Sequence, residues 1–326
     1  MQENKLARMG DSPIRVSDIR LPKVSMPPSA SDRLLDLRYR LEYAGLRLLA
    51  GLIRVLPLDI ATRYSAAIWM LVAPRLRRHR RALENLAIAF PEKTPEEREA
   101  IAKAMWGNLG RVMAETMRID LLIKEPERFE FVSKRVLDRY RGKLGPAIGV
   151  TLHMGNWELA IWPFTEAGGN PAAIFRMVKN PYVDAYLRGQ RTGLFPGGLF
   201  GKGQVEENQR TARIMTDYVR QGGRLAIVSD LYDRQGIAVP FFGQPAKSVM
   251  VPAMIARRVG ARIWMGRCLR IGTSSRFRME IIELRVQRTA NQADDIKQTT
   301  AAMQAQFEAW VREAPEQFMW SNRRWS

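Results

Sequence analysis

The sequence predicts an α/β fold: a mostly parallel central sheet flanked by helices, with an amphipathic helical extension at its N-terminal side. Three observations carry that reading. From residue 145 onward, short apolar β-like runs alternate with helix-like segments, the order that builds a parallel sheet covered on both faces. Ahead of them, apolar residues recur three, four or seven apart with arginines between, the period of helices with one apolar face. The chain of 326 residues, 46% hydrophobic and 26% charged, is globular in composition, so wholesale disorder is excluded. Its length suits one large α/β domain with a helical extension.

In order along the chain, residues 1–30 read as a flexible arm, with Pro, Ser and scattered charges and no period. A helix follows in "SDRLLDLRYRLEYAGLRLLAGLIRVLP", where Leu34, Leu37, Leu41, Leu48, Leu52 and Val55 share one face. After Pro57 comes a second helix, "DIATRYSAAIWMLVAP". The cluster "RLRRHRR" then packs five arginines and His79 into seven residues and leads into a further helix. Interleaved leucines and arginines have two readings. One is a helical part packed on the core with its arginines in solvent. The other is an interfacial segment on an anionic membrane, the arginines taking lipid phosphates. The charge balance, 52 Lys and Arg against 33 Asp and Glu for a formal +19, tips the choice toward the membrane, and His79 is read as one more polar member of that surface. No secretory signal peptide is expected, because the first thirty residues lack an apolar core. No membrane-spanning helix is expected either, since the longest uncharged piece, "YSAAIWMLVAP", is far short of the ~20 residues a span needs.

"PEEREAIAKAMWGNLGRVMAETMR" continues the helical part, taken as residues 31–120 of a single domain over 31–326. In the catalytic part, residues 121–326, "GPAIGVTL" is a strand, "NWELAIWPFTEA" a helix and "PAAIFRM" a strand. Helices are expected at "NPYVDAYLRGQR" and "QVEENQRTARIMTDYVRQGG", then a buried strand at "RLAIVSD". "SVMVPAMIARRVG" is a helix, "ARIWMGRCL" and "FRMEIIEL" are strands, and "QADDIKQTTAAMQAQFEAWVREAP" closes the pattern as a helix.

Cysteine and histidine are scarce. The single Cys268 excludes an internal disulfide and a Cys-based zinc site, and two histidines, His79 and His153, exclude a multi-histidine metal site. A net +19 favours polyanionic partners: nucleic acid, anionic lipid, phosphorylated substrate or an acidic carrier protein. A basic nucleic-acid-binding protein is the competing class, but the basic residues are spread through amphipathic helices and no nucleic-acid motif is present.

The chemistry gathers at "LHMGNWE". In open α/β sheets reactive groups collect where strands end, and His153 stands at such an end. If Asn156 caps a new helix, Glu158 falls in its first turn and its carboxylate folds back toward the imidazole, with Gly155 permitting the tight turn. A carboxylate beside a histidine fixes its tautomer and raises its basicity. No G-x-S-x-G or similar nucleophile motif accompanies it, so the histidine acts on the substrate's own hydroxyl, which is direct acyl transfer. The competing reading is a structural histidine capping a strand, the commoner fate of a lone histidine.

The rest of the chain reverses those odds. H-x-x-x-x-E at a strand end resembles the H-x4-D/E motif of the glycerolipid acyltransferase superfamily, and "HMGNWE" resembles the form typical of the lipid A late acyltransferases. "FRMVKNPYVDAYLRGQR", "SDLYDRQGIAVPFFGQPAKS" and "PEQFMWSNRRW" resemble further blocks of that family in order and spacing, and the likeness covers residues 31–326. The chain departs from the family pattern at Asp230-Leu231, where Asp-Gln is usual, and near Asn322, where a histidine is common. The resemblance implies His153 as general base with Glu158 as its partner. It implies Asn156 in positioning the turn, Arg176 on a phosphate or the oxyanion, and Asp230 as a further carboxylate of the site. Lys179 and Arg234 are weaker phosphate-binding candidates, and "VPFFG" a wall for the acyl chain. It further implies an acyl chain moved to a hydroxyl of a phosphorylated lipid A precursor at the cytoplasmic face of the bacterial inner membrane. The donor is acyl carrier protein or coenzyme A thioester, with no metal, no other cofactor and no nucleic-acid partner. A phosphatidylinositol mannoside acyltransferase using acyl-CoA is the nearest alternative.

Overall fold

The computed structural model of the protein describes residues 30–132, 145–202 and 205–325, without the side chains of residues 30, 176 and 202–211. The arm of residues 1–29 lies outside the described residues. The chain divides into compact units after Arg38, and the larger unit, Tyr39–Ser326, holds the sheet and everything that surrounds it.

The helical part is α1 (Ala30–Val55), α2 (Leu58–Val72), α3 (Arg77–Ala89), α4 (Pro95–Thr116) and the short α5 (Ile119–Leu122). Pro57 separates α1 from α2 because it has no N–H to continue the ladder. Thr94 starts α4 with a reciprocal cap, its hydroxyl accepting from the Glu97 N–H while the Glu97 carboxylate accepts from the Thr94 N–H. The helix is pressed so close to α2 that a Cβ at Gly110 would stand 2.6 Å from the Ser65 carbonyl oxygen. Two α1 arginines read as solvent- or lipid-facing, Arg54 and the exposed Arg47, also touch the body. Arg54 pairs with both oxygens of Asp120 at 2.9 and 2.8 Å, and Arg47 stacks over Tyr186. His79 is a correction. It is buried, not on the surface, bonded through Nε2 to Glu99 at 3.0 Å while Nδ1 accepts from the Trp106 indole N–H at 3.0 Å.

Among the described residues the main sheet has seven strands: β1 (Phe129–Phe131), β2 (Ala147–Thr151), β3 (Ala172–Arg176), β4 (Gly198–Lys202), β5 (Arg224–Val228), β8 (Arg262–Arg270) and β9 (Phe277–Leu284). Their order is β1-β9-β8-β2-β5-β3-β4, parallel except for the β8–β9 pair. This is the mostly parallel α/β sheet expected. Around it lie α6 (Trp162–Glu166), α7 (Pro181–Arg191), α8 (Val205–Arg220), α9 (Val251–Val259) and α10 (Gln292–Glu313). The central strands are short, apolar and bounded by turns, and their inner residues Ile148, Val150, Leu225 and Ile263 join the largest core cluster.

Two elements differ from expectation. "NWELAIWPFTEA" is not one helix: residues 157–161 are turns closed by i+3 bonds such as Leu159 N–H to Asn156 C=O at 3.1 Å, and α6 begins only at Trp162. Pro163 lacks the N–H that a helix begun at Asn156 would need at that place. "VPFFG" is not an acyl-chain wall. It ends β6 (Tyr232–Phe241), which pairs with β7 (Gln244–Ser248) through a two-residue turn at Phe242 and Gly243, φ 50° and 70°. Phe241 and Phe242 are buried against Phe318, Trp320 and Phe90, in the core.

Candidate active site

Register brings the site together. β2 and β5 are parallel neighbours with Thr151 opposite Val228, and the ladder runs on through the Ser229 N–H to Thr151 C=O bond at 2.9 Å. Two residues beyond each strand end stand His153 and Asp230. The same register that pairs the strands therefore pairs these side chains, His153 Nδ1 to Asp230 Oδ1 at 2.8 Å. Asp230 is 1% exposed in its side chain and His153 21%, which leaves the imidazole's far nitrogen at the surface of a cavity. Burial works against protonation of His153. The charge and hydrogen bond of Asp230, together with the charge of Glu158, outweigh it, so the imidazole titrates above its ordinary value. Trp157 packs edge-on against the ring, centroids 5.4 Å apart.

Glu158 is not the partner expected for His153. Its carboxylate takes a bidentate pair from Arg191 of α7, Nε and Nη2 each at 2.6 Å. Because residues 157–161 form turns and not a helical first turn, Glu158 is carried past the imidazole toward α7. Nor does Asn156 cap a helix. Its side chain is fully buried and donates to Glu115 Oε2 at 2.8 Å. Arg176 ends β3, and its side chain lies outside the described residues. Lys179 is exposed and does not line the cavity, whereas Arg234 is exposed at its rim.

The loop bearing His153 is fastened on three sides. Gly155, φ 58°, lies so near β8 that a Cβ there would stand 1.9 Å from the Cys268 carbonyl oxygen, and Asn156 N–H donates to that oxygen at 2.8 Å. The segment after α10 holds the other side, with Met319 N–H on His153 C=O at 2.9 Å and Gly155 N–H on Gln317 C=O at 3.0 Å. Underneath is a buried ion pair, Arg270 Nη1 and Nη2 to Glu115 at 2.5 and 2.8 Å. Asn108 accepts from Arg270 Nε and donates to the Gly155 carbonyl, and the Ser275 hydroxyl donates to Glu115. Arg324 is buried over Phe241 and donates to Ser248 and Gln304. Burial pushes its guanidinium down to about 10 against the opposing pull of Asp230.

The cavity beside His153 has a volume of about 960 Å³, the upper end of the roughly 300–1,000 Å³ of small-molecule sites. Part of its floor is a row of small residues, Gly149, Ala173 and Ala226, laterally aligned on three adjacent strands; Gly266 stands nearby on β8. Ile161 and Phe164 line the same side, and Trp264 continues the row on β8 opposite Gly149. This side of the cavity is an apolar slot. Nothing in composition or periodicity pointed to Arg191, Glu115 or Arg270. The strand register was the signal for Asp230 as partner, since "GVTLH" and "AIVSD" both end an apolar run in two residues leading to a polar group.

The family model described as bacterial lipid A biosynthesis acyltransferase matches residues 28–326. The chain belongs to that family. It is 22% identical over 280 residues to a lipid A biosynthesis acyltransferase of Haemophilus influenzae, covering 82% of each chain. It is 30% identical over 109 residues to the lipid A biosynthesis myristoyltransferase of Escherichia coli, covering 32% of this chain and 33% of that one. A lipid A biosynthesis acyltransferase of Shigella flexneri is 28% identical over 109 residues, 32% and 34% of the two chains. The protein is an acyltransferase of lipid A biosynthesis, and no helix among its described residues is long and apolar enough to cross a membrane.

Proposed function

We propose that this acyltransferase moves a fatty acyl chain from a carrier thioester, acyl carrier protein before coenzyme A, to a hydroxyl of a phosphorylated lipid A precursor. His153 is the general base. The observation that carries the reading is the His153–Asp230 pair, set at the carboxyl ends of β2 and β5 and opening on an apolar slot. Asp230 holds Nδ1 in its protonated tautomer, so Nε2 faces the cavity with a lone pair. Nε2 takes the hydroxyl proton as the oxygen attacks the thioester carbonyl. The tetrahedral intermediate collapses with cleavage of the carbon–sulfur bond, and the proton passes from the imidazolium to the leaving thiolate. Ester and thiol are the products, and the balance needs no further reactant. Glu158 and Arg191 form the rim and position the acyl group, Asn156 supports the turn from below, and Arg234 and Arg176 are available to acceptor phosphates.

The site of action in this reading is an anionic membrane surface facing the compartment that supplies the thioester, the inner membrane's cytoplasmic side. Leu48 is 77% and Val55 84% exposed on α1, Ile68 and Leu71 are exposed on α2, and Arg75, Arg77, Arg78, Arg80 and Arg81 are exposed beside them. Apolar side chains flanked by cations suit a monolayer whose phosphates meet the guanidiniums.

Mass spectrometry of membrane glycolipids with and without the gene tests the reading. Loss of one secondary acyl chain is expected, restored by the wild-type gene and not by His153→Ala, whose turnover falls by about 10²–10⁴. An unchanged acylation pattern would overturn it.

A further inference from the structure

In the mechanism above Asp230 is a carboxylate anion where water does not reach. Its side chain is 1% exposed, Oδ1 is taken by His153, and Oδ2 is buried with no hydrogen-bond partner among the described residues. A buried charge of this kind needs an opposite charge to offset it. His153 does not supply one at rest, because a base must be neutral to act. The charged groups across the cavity come as neighbouring opposites, Glu158 with Arg191, Asp184 with Arg188 and Asp233 with Arg234. Tyr232, also on the cavity, lies under Arg323, whose guanidinium is 4.4 Å from the ring centre.

Arg324 is placed differently, buried with Asp230 and not on the cavity. Its Nη2 donates to Ser248 Oγ and to Gln304 Oε1, each at 2.9 Å, while Nε and Nη1 are buried with no hydrogen-bond partner among the described residues. Burial lowers this guanidinium and the charge of Asp230 works against that, so the two opposite charges lie within reach of each other. A relay joins them as well. Gln304 of α10 accepts from Arg324 and donates through Nε2 to the Ser229 carbonyl at 3.1 Å, the carbonyl of the peptide bond that leads into Asp230. Beyond Asp230, the Tyr232 N–H donates to the Arg323 carbonyl at 3.1 Å. Residues 323 and 324 thus hold the Asp230 turn from both sides.

We infer that Arg324 is a positioning residue of the reaction: it holds the Asp230 turn through Gln304 and Ser229, and its charge offsets that of Asp230 so that His153 rests neutral. A brace that only pinned the end of the chain over Phe241, 4.3 Å from the guanidinium, would not need the charge. The two roles differ in sign. Loss of the imidazolium proton leaves the Asp230 carboxylate without its nearest counter-charge, a state that Arg324 offsets. Without that cation the imidazolium persists to higher pH, and the midpoint of kcat/KM rises. A change that merely loosened Asp230 would lower the midpoint, because its push on the imidazole would be lost.

This inference rests on the acyl-transfer reading above, and one series of measurements separates the two. For the full chain, kcat/KM is followed against pH with an acyl carrier-protein thioester and a phosphorylated lipid A precursor. Arg324→Gln keeps a side-chain donor and removes the charge. Its midpoint is expected about 0.5–1 pH unit above that of wild type, less than the roughly 1–3 units of a directly paired charge. Arg324→Lys keeps the charge and stays with wild type. Arg324→Met, which still packs on Phe241, gives the same rise should the glutamine variant not fold. In an Asp230→Asn background, Arg324→Gln moves the midpoint no further. A midpoint at or below that of wild type in the charge-free variants, an equal rise in Arg324→Lys, or a further shift in the Asp230→Asn background overturns the inference alone. Failure of both charge-free variants to fold does the same, since Arg324 would then be a brace of the fold. A wild-type protein that transfers no acyl chain, or an undiminished His153→Ala, overturns the acyl-transfer reading and the inference with it.

Discussion

His153 and Asp230 are neighbours by strand register, so their chemistry answers to two separable substitutions. Burial lowers the imidazole, and Asp230 with a smaller push from Glu158 raises it above its ordinary value. In the proposed mechanism His153 works only when neutral, so kcat/KM is expected to rise with pH through a midpoint above that of an ordinary histidine. Asp230→Asn removes the upward push and leaves the burial. The midpoint then moves to lower pH, even as kcat falls by about 10²–10⁴ because the forming imidazolium has lost its counter-charge. Glu158 is the smallest contributor to the shift and is paired elsewhere, so Glu158→Gln moves the midpoint the same way by less. Profiles of kcat/KM against pH for the three proteins check this, and an Asp230→Asn midpoint at or above that of wild type would sink it. The place of His153 at a strand end was legible, because an apolar run leads into it. That Asp230, and not Glu158, is hydrogen-bonded to it was not legible, because proximity in sequence was weighed and proximity in register was not.

At the scale of elements, the site stands on the buried Arg270–Glu115 pair, which joins β8 to α4 and reaches the catalytic loop through Asn108 and Asn156. A buried pair is costly to break and cheap to replace whole. Arg270→Met is expected to lower unfolding stability by roughly 3–5 kcal/mol, and the double variant Glu115→Leu with Arg270→Met by clearly less. Urea unfolding measures both, and a double variant as unstable as the sum would refute the account. The strands of the central sheet and the long helices were readable, since apolar runs of a few residues between turns admit few alternatives. The stretch after Asn156 was not, because Pro163 and the pull of Arg191 on Glu158 override its helical period. Nor was the Phe242 turn, where buried rings and a bond from its N–H to Glu308 stabilise a φ that the residue type disfavours.

For the whole molecule, charge and exposed leucines act together. Flotation with vesicles is expected to show binding to phosphatidylglycerol-containing membranes that weakens as salt rises, and little to zwitterionic ones. Leu48→Ser with Leu52→Ser should weaken it at least about tenfold, from the loss of two buried aliphatic side chains. Equal binding by the double variant would remove α1 from the interface. One feature of the fold also sets a timetable. His153 is bonded to Met319 and Gly155 to Gln317, and Arg324 lies within the electrostatic reach of Asp230. During synthesis His153 emerges more than a hundred and sixty residues before those partners do. A nascent chain whose helices have already emerged would still lack a fastened histidine loop. That loop is fastened only when the tail of the chain has folded back past it.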